Sequence, residues 1–483
     1  MEENNARLSK KDQKFRDFTL NGNMWKVVWQ VALPLCIYQC MGQVFGVLDT
    51  MMASHISSNT VSAVAYLAQI NSIISALGGG LAVGASLKVS EAYGEGKYEL
   101  VKKRVSTLYA MCGLLSGIIL LLIPFTRQIL TFAQTPPELI EEGNTYFQLQ
   151  LLAMVIVFFN NVFIAIERAR GETKLIMKMN IVVILTKTSL TALFVYVCKG
   201  SIITMSLATI ISQSILMVIG LVKMKRERNA FGFSFRFVSL KKNLAGPMIQ
   251  QSIPLIVERA LFSMGKLLVN SMSTLYGVLT VGALGVSNNL GGFASAPQNG
   301  FQEGAASVIS QNIGAGKFGR ALQAFWSVLI YNMIAGAAAY AIAMGFIQQI
   351  SGMFSQNDLE FQRLIMKIFR FEAMGFIPLG INSAVMALLY GLGKTKISLL
   401  ISMSRVFVFR VPVLWFLQKY TNLGSESVGI VMMVSNISVA FVAILAAVVV
   451  IPAAKKKYCK TCNNKSKRFH ILGTKNKPNM KKI

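Results

Sequence analysis

Among the ionisable side chains inside stretches that are otherwise apolar are Asp49, Lys187, Glu258, Arg259 and Lys266. A charge at the centre of a membrane helix costs about 2.5–3.5 kcal/mol on insertion scales, so one retained there is a candidate for binding or coupling chemistry. At helical spacing Asp49 shares a face with Tyr38, Gly42 and Phe45. A carboxylate beside aromatic rings suits an organic cation, whose charge meets the acid while its flat body stacks on the rings. In a poorly hydrated site the same carboxylate can exchange a proton for that cation. The plainer alternative is an acid at the water boundary that hydrogen-bonds a neighbouring helix.

Glu258 follows Pro254 by four residues, with Arg259 adjacent and Lys266 on the same face as Arg259, Ser263 and Asn270. It reads either as a second coupling acid or as the structural partner of a neighbouring cation. Lys187 lies on a stripe with Asn180, Ile184, Thr191 and Phe194, too central to reach water by snorkelling. It is expected to face the protein interior, pairing with an acid such as Asp49 or meeting an anionic substrate group. Between residues 280 and 311 a polar stripe carries Asn288, Ser295, Asn299 and Gln302, with Gln298 beside them and Glu303 next in sequence. Amides facing lipid are expensive, so the stripe should line a cavity or join helices. The predicted coupling and substrate-binding set is therefore Asp49, Glu258, Lys187, Tyr38, Asn180, Arg259, Lys266, Asn288, Asn299 and Gln302.

These residues sit in a chain that is 54% hydrophobic and 14% charged. Twelve apolar runs of bilayer length occur at roughly 25–54, 61–87, 104–125, 143–167, 177–198, 202–222, 247–275, 280–311, 321–348, 361–390, 397–418 and 427–452. Without porin-like alternation they read as helices, giving an all-α polytopic membrane protein. The net charge of +28 is laid down in alternate loops and in the tail from Lys455. That asymmetry places both termini in the cytoplasm, against anionic lipid headgroups, and argues against a nucleic-acid partner. No cleavable signal precedes the first run, so the plasma membrane is expected, of bacterial inner-membrane type. No Gly-x-x-x-x-Gly-Lys-[Ser/Thr] loop and no catalytic constellation appears. Cys459 and Cys462, in a Lys/Asn-rich tail with His470 downstream, offer too few ligands for a zinc site and read as part of a flexible reduced tail.

The chain repeats itself. Gly80, Gly84, Ala85, Ser90, Gly94, Gly96 and Lys97 recur 220 positions later as Gly300, Gly304, Ala305, Ser310, Gly314, Gly316 and Lys317, and Pro34-Leu35 recurs as Pro254-Leu255. The duplication sorts the twelve helices into two six-helix lobes, residues 25–222 and 247–452, joined by a linker at 223–246 and flanked by tails at 1–24 and 453–483. With an even number of spans per copy, both copies enter from the same side and a substrate path should run between them.

The turns Ser90-Glu-Ala-Tyr-Gly-Glu-Gly-Lys97 and Ser310-Gln-Asn-Ile-Gly-Ala-Gly-Lys317, with Leu48-Asp-Thr50, Pro254-x-x-x-Glu258, Arg168-x-x-Gly-x-Thr-Lys174 and Arg405 with Pro412, resemble the multidrug and toxic compound extrusion (MATE) family. The resemblance implies an ion-driven antiporter that exports small organic, cationic or amphipathic compounds without a cofactor, as a monomer. In NorM-like members a carboxylate at the position of Glu258 is implicated in cation coupling, and an aspartate in the tenth helix helps to bind the ion. Here the tenth run carries Arg370, Glu372 and Asn382 but no aspartate inside the membrane, which favours H⁺ over Na⁺. Internal cations leave open a flippase for an anionic lipid-linked oligosaccharide, and the basic tail a non-transporting sensor or scaffold.

Overall fold

The computed structural model describes residues 7–53, 58–132, 137–198, 200–355 and 358–473. Twelve long helical segments follow one another: α1 Met24–Ala53, α2 Ser58–Glu95, α3 Tyr98–Thr131, α4 Pro137–Arg170, α5 Thr173–Val197 and α6 Ile202–Arg226. The second set is α7 Lys242–Ser273, α8 Val278–Gly314, α9 Phe318–Gly345, α10 Leu359–Met374 with Phe376–Gly391, α11 Thr395–Tyr420 and α12 Glu426–Gly473. Among the described residues nine of these are long and apolar enough to cross a bilayer, and ten if the two parts of α10, bent by 44°, form one span. The two that fall short in hydropathy are α7 and α8, which are 32 and 37 residues long. Polarity, not length, sets them apart: α7 holds Glu258, Arg259 and Lys266, and α8 the amide stripe. Both are packed among apolar neighbours, α7 along α2 and α11 and α8 along α1 and α10. The lipid-facing surface is apolar, with Leu121 72%, Val197 71% and Val449 71% exposed, as a helix bathed in hydrocarbon requires.

The contacts between the copies obey the sequence repeat. Helix α8 lies against α1 and α7 against α2. A Cβ on Gly84 would come within 2.5 Å of the Ser252 Cα, and one on Gly304 within 3.0 Å of the Ala32 Cα; 32 plus 220 is 252. Gly80 meets Ile256 and Gly300 meets Cys36, again equivalent positions. At the helix ends Gly94 abuts the Gln311 carbonyl and Gly314 the Glu91 carbonyl. Ser90 Oγ lies 3.1 Å from Ser307 Oγ, and Ser310 donates to the Leu87 carbonyl at 2.8 Å. This is a self-complementary seam between two copies of one fold, residue for residue. The repeated glycines are needed because backbone meets backbone across it.

The seam closes the end of the molecule that carries the basic turns. Residues 1–24, read from the sequence as a tail, contain the helix Lys10–Asn21, which bridges both copies. Arg16 donates to the carbonyls of Tyr93 and Gly94 at 3.1 and 2.9 Å. Lys317 donates to the Leu20 carbonyl at 3.1 Å, and Arg320 to the Gly22 carbonyl at 2.7 Å. Arg170 anchors the helix through Asp12 at 2.5 Å and also grips Glu227 at 2.6 Å. The linker is equally attached: the Ser234 and Ser239 amides donate to the hydroxyls of Ser106 and Thr107 on α3. At the other terminus α12 does not stop near residue 452 but continues as helix to Gly473. The side chains of Cys459 and Cys462 lie outside the described residues.

Candidate functional site

Two polar cavities lie between the lobes, of about 430 and 250 Å³, sharing Gln39, Ser75, Arg259 and Glu303 as common walls. Their positions follow from the seam: the lobes touch closely at one end, and polar side chains hold them apart above it. Glu303 on α8 divides the two spaces. It accepts from Arg168 of the first copy and from Arg259 at 3.3 Å, making an Arg–Glu–Arg chain across the lobes. Arg168 is 5% and Arg259 42% exposed at the side chain, so the chain runs from the sealed seam into open space. Gly79 leaves room for it, since a Cβ there would stand 2.6 Å from Arg259 Nη1.

Glu258 lines the larger cavity and is not ion-paired with Arg259. Its carboxylate accepts from the hydroxyls of Tyr390 at 2.8 Å, Ser402 at 3.0 Å and Ser398 at 3.0 Å. Three neutral donors on α10 and α11 fix an acid in the membrane without cancelling its charge. A group so held can take up a cation or a proton while its position is maintained.

A profile of the MatE family matches residues 34–193 and 254–416, one segment in each copy. The chain belongs to the MATE family. It is therefore a multi-pass membrane protein of a transporter family and not an enzyme. "Probable multidrug resistance protein YoeA" of Bacillus subtilis (strain 168) is 23% identical over 414 residues, covering 83% of this chain and 88% of the relative. A crystal structure of a MATE protein in complex with MaL6 superposes with a TM-score of 0.88 at 19% identity, covering 93% of this chain and all of the other. A multidrug resistance MATE transporter of the MOP superfamily, in its outward-facing conformation, gives 0.87 at 19% identity over 93% and 99% of the two chains. At these identities the structures show a shared fold.

Within this MATE protein the predicted residues separate. Glu258, Arg259, Asn299 and Gln302 line the 430 Å³ cavity, and Tyr38 lines the 250 Å³ one. Lys266 extends over the Phe262 ring, its Nζ 5.2 Å from the centroid, and Lys187 over Phe45 at 4.2 Å. Asn180 turns away from this space: it is buried and donates to the carbonyl of Ile176 on its own helix at 2.8 Å. Asn288 lies outside both cavities. Asp49 lies on α1, and its side chain falls outside the described residues. The amide stripe divides in two, for Gln298 is buried and donates to the Phe376 carbonyl at 2.8 Å, where α10 is bent.

Several wall residues escaped the sequence reading. Arg168 counts there only as the first residue of a family motif, and Glu303 as a neighbour of the stripe. Tyr390 and Phe262 carry no charge to mark them. Outside the walls, Glu372, which the sequence placed in the tenth run, is buried on α10 and accepts a hydrogen bond from Ser287 on α8. The available signal was periodicity: Glu303 lies four residues after Asn299 on the same helical face.

Proposed function

We propose that this MATE protein is a secondary antiporter that exports small organic compounds across a plasma membrane, exchanging them for H⁺ or Na⁺ by alternating access. The observation that carries the reading is Glu258, a carboxylate held by three hydroxyls and, among the described residues, by no ion pair, in the wall of a cavity between two duplicated lobes. The basic turns put the sealed seam and both termini on the cytoplasmic side under the positive-inside rule, which makes this the arrangement closed to the cytoplasm. The relative's multidrug resistance label supports export of foreign compounds. Ion binding at Glu258, and at Asp49 in the other lobe, favours one arrangement only in so far as the ion binds it more tightly than the alternative.

The test is flux of a fluorescent organic cation in proteoliposomes under an imposed pH gradient and, separately, a sodium gradient. Flux driven by one gradient, and lost in both Glu258→Gln and Asp49→Asn, establishes antiport and names the ion. Wild-type vesicles that move no dye under either gradient sink the cation-export form of the reading.

A further inference from the structure

Beyond Glu258 toward the outer end of α7, the wall changes sign. Lys266, Arg405 and Arg410 converge on a single ring: Lys266 Nζ, Arg405 Cζ and Arg410 Cζ lie 5.2, 5.1 and 5.6 Å from the centroid of Phe262. Their hydrogen bonds are few. Arg405 donates to Asn436 Oδ1 at 2.5 Å and Arg410 to Ser435 Oγ at 3.0 Å, both neutral acceptors. Arg410 is 3% exposed, and its Nη1, like Nε of Arg405, is buried with no hydrogen-bond partner. Glu372 is the nearby acid, but it is held by Ser287 and forms no ion pair with the three cations among the described residues.

The surplus covers the cavity walls, which carry Arg168, Arg259, Arg405, Glu258 and Glu303, and the cluster next to them, where Lys266, Arg410 and Glu372 lie outside the walls. Counting Arg168, Arg259, Lys266, Arg405 and Arg410 against Glu258, Glu303 and Glu372 leaves 5 − 3 = 2 uncancelled positive charges on the described side chains. Uncompensated cations inside a membrane are costly unless an anion or water meets them. Water can serve Lys266, which is exposed, but it cannot reach the buried guanidinium nitrogens. Phe262 and Arg405 form part of the 430 Å³ cavity wall, so an anion entering that space would find an aromatic face and a guanidinium fork side by side.

We infer that the outer half of the second lobe is a subsite for the carboxylate of an aromatic organic acid, with Lys266 and Arg405 holding the carboxylate and Phe262 stacking on the ring. This rests on the transport reading above and specifies a substrate class for it. Glu258, nearer the seam, then faces any cationic group of the same molecule, so aromatic amino-carboxylates fit both ends. The three cations also attract the acid across the cavity before contact, which favours anions over neutral analogues of the same size.

The experiment is equilibrium binding of three probes to the full chain in detergent: 1-naphthoate, the uncharged 1-naphthylmethanol, and the cation tetraphenylphosphonium, with chloride and inorganic phosphate as competitors. The expected result is that 1-naphthoate binds more tightly than 1-naphthylmethanol. Lys266→Gln and Arg405→Gln should each weaken it about tenfold, the loss of one charge-assisted contact, with phosphonium binding undiminished and Lys419→Gln without effect. Lys266 is exposed, so its variant tests the site without disturbing a packed core, and the wild-type comparison of probes needs no variant. Equal binding of 1-naphthoate and 1-naphthylmethanol overturns the inference, leaving an apolar pocket. So does 1-naphthoate binding that both variants retain, or that chloride abolishes at equal concentration. Phosphonium bound and naphthoate not bound removes this subsite while leaving cation export standing; if neither probe binds, both readings fall.

Discussion

Replacing the Glu258 carboxylate by its amide separates charge from position. In Glu258→Gln the Tyr390, Ser398 and Ser402 hydroxyls keep a group of the same shape within reach, so stability should change by no more than about 1 kcal/mol. Ion-driven flux should nevertheless fall at least about tenfold, since the amide cannot carry a proton or pair with a cation. A variant that transports normally in proteoliposomes would move the coupling role elsewhere. Glu303 should behave in the opposite way. Removing it leaves Arg168 buried without its acid, and breaking a buried pair costs about 3–5 kcal/mol; Glu303 is 17% exposed, so the lower end of that range applies. Thermal unfolding of Glu303→Gln, Arg168→Met and the double variant checks this, the double variant being expected to recover part of the loss. Additive losses would mean the two side chains do not interact. This contrast explains what could be read from the residues alone. Glu258 was visible as a candidate because an acid inside an apolar run calls for a partner or a role, although the sequence left open which. The Arg168–Glu303 contact joins residues 135 apart, and only the packing of one copy on the other creates it.

At the scale of elements, length and hydropathy located the spans, whereas bends and attachments depended on tertiary neighbours. Helix α10 carries Pro378, the residue that would be expected to mark its break, yet the bend lies at Gly375 between its two parts. Pro378 instead occupies the first turn after the break, where a missing amide proton goes unneeded. The Phe376 carbonyl is met by Gln298 from α8 at 2.8 Å. Gln298→Leu removes this bond from a carbonyl that its own helix also engages and should cost about 0.5–1.5 kcal/mol, read as a lower unfolding temperature, while transport by the surviving protein changes little because Gln298 lies outside the cavities. A stability equal to wild type would show that the bend holds without this bond. The N-terminal segment teaches the same lesson. Its charge marks it as polar, but its role as a strap depends on Arg16 reaching Gly94 and Arg320 reaching Gly22, neither of which any local pattern encodes.

For the whole molecule, the repeat visible in the sequence becomes a physical interface, and its symmetry makes a prediction that neither lobe could make alone. Gly84 packs on Ser252 and Gly304 on Ala32, so a side chain at either glycine wedges equivalent places in one seam. If the seam is the closed gate, Gly84→Val and Gly304→Val should have the same effect: both should open the end that bears the basic turns. Cys36 reports on this, because it is buried in the seam against Gly300 and donates to the Pro297 carbonyl at 3.1 Å. In a background with the other cysteines replaced, labelling of Cys36 by a membrane-impermeant maleimide from that end should rise at least about tenfold in both variants, as expected when a closed state loses more than about 1.4 kcal/mol relative to an open one. Gly304 lies one helical turn from Cys36's own partner Gly300, whereas Gly84 lies on the pseudosymmetric side. A rise confined to Gly304→Val would thus mark local distortion beside the cysteine and would end the case for a single two-state seam.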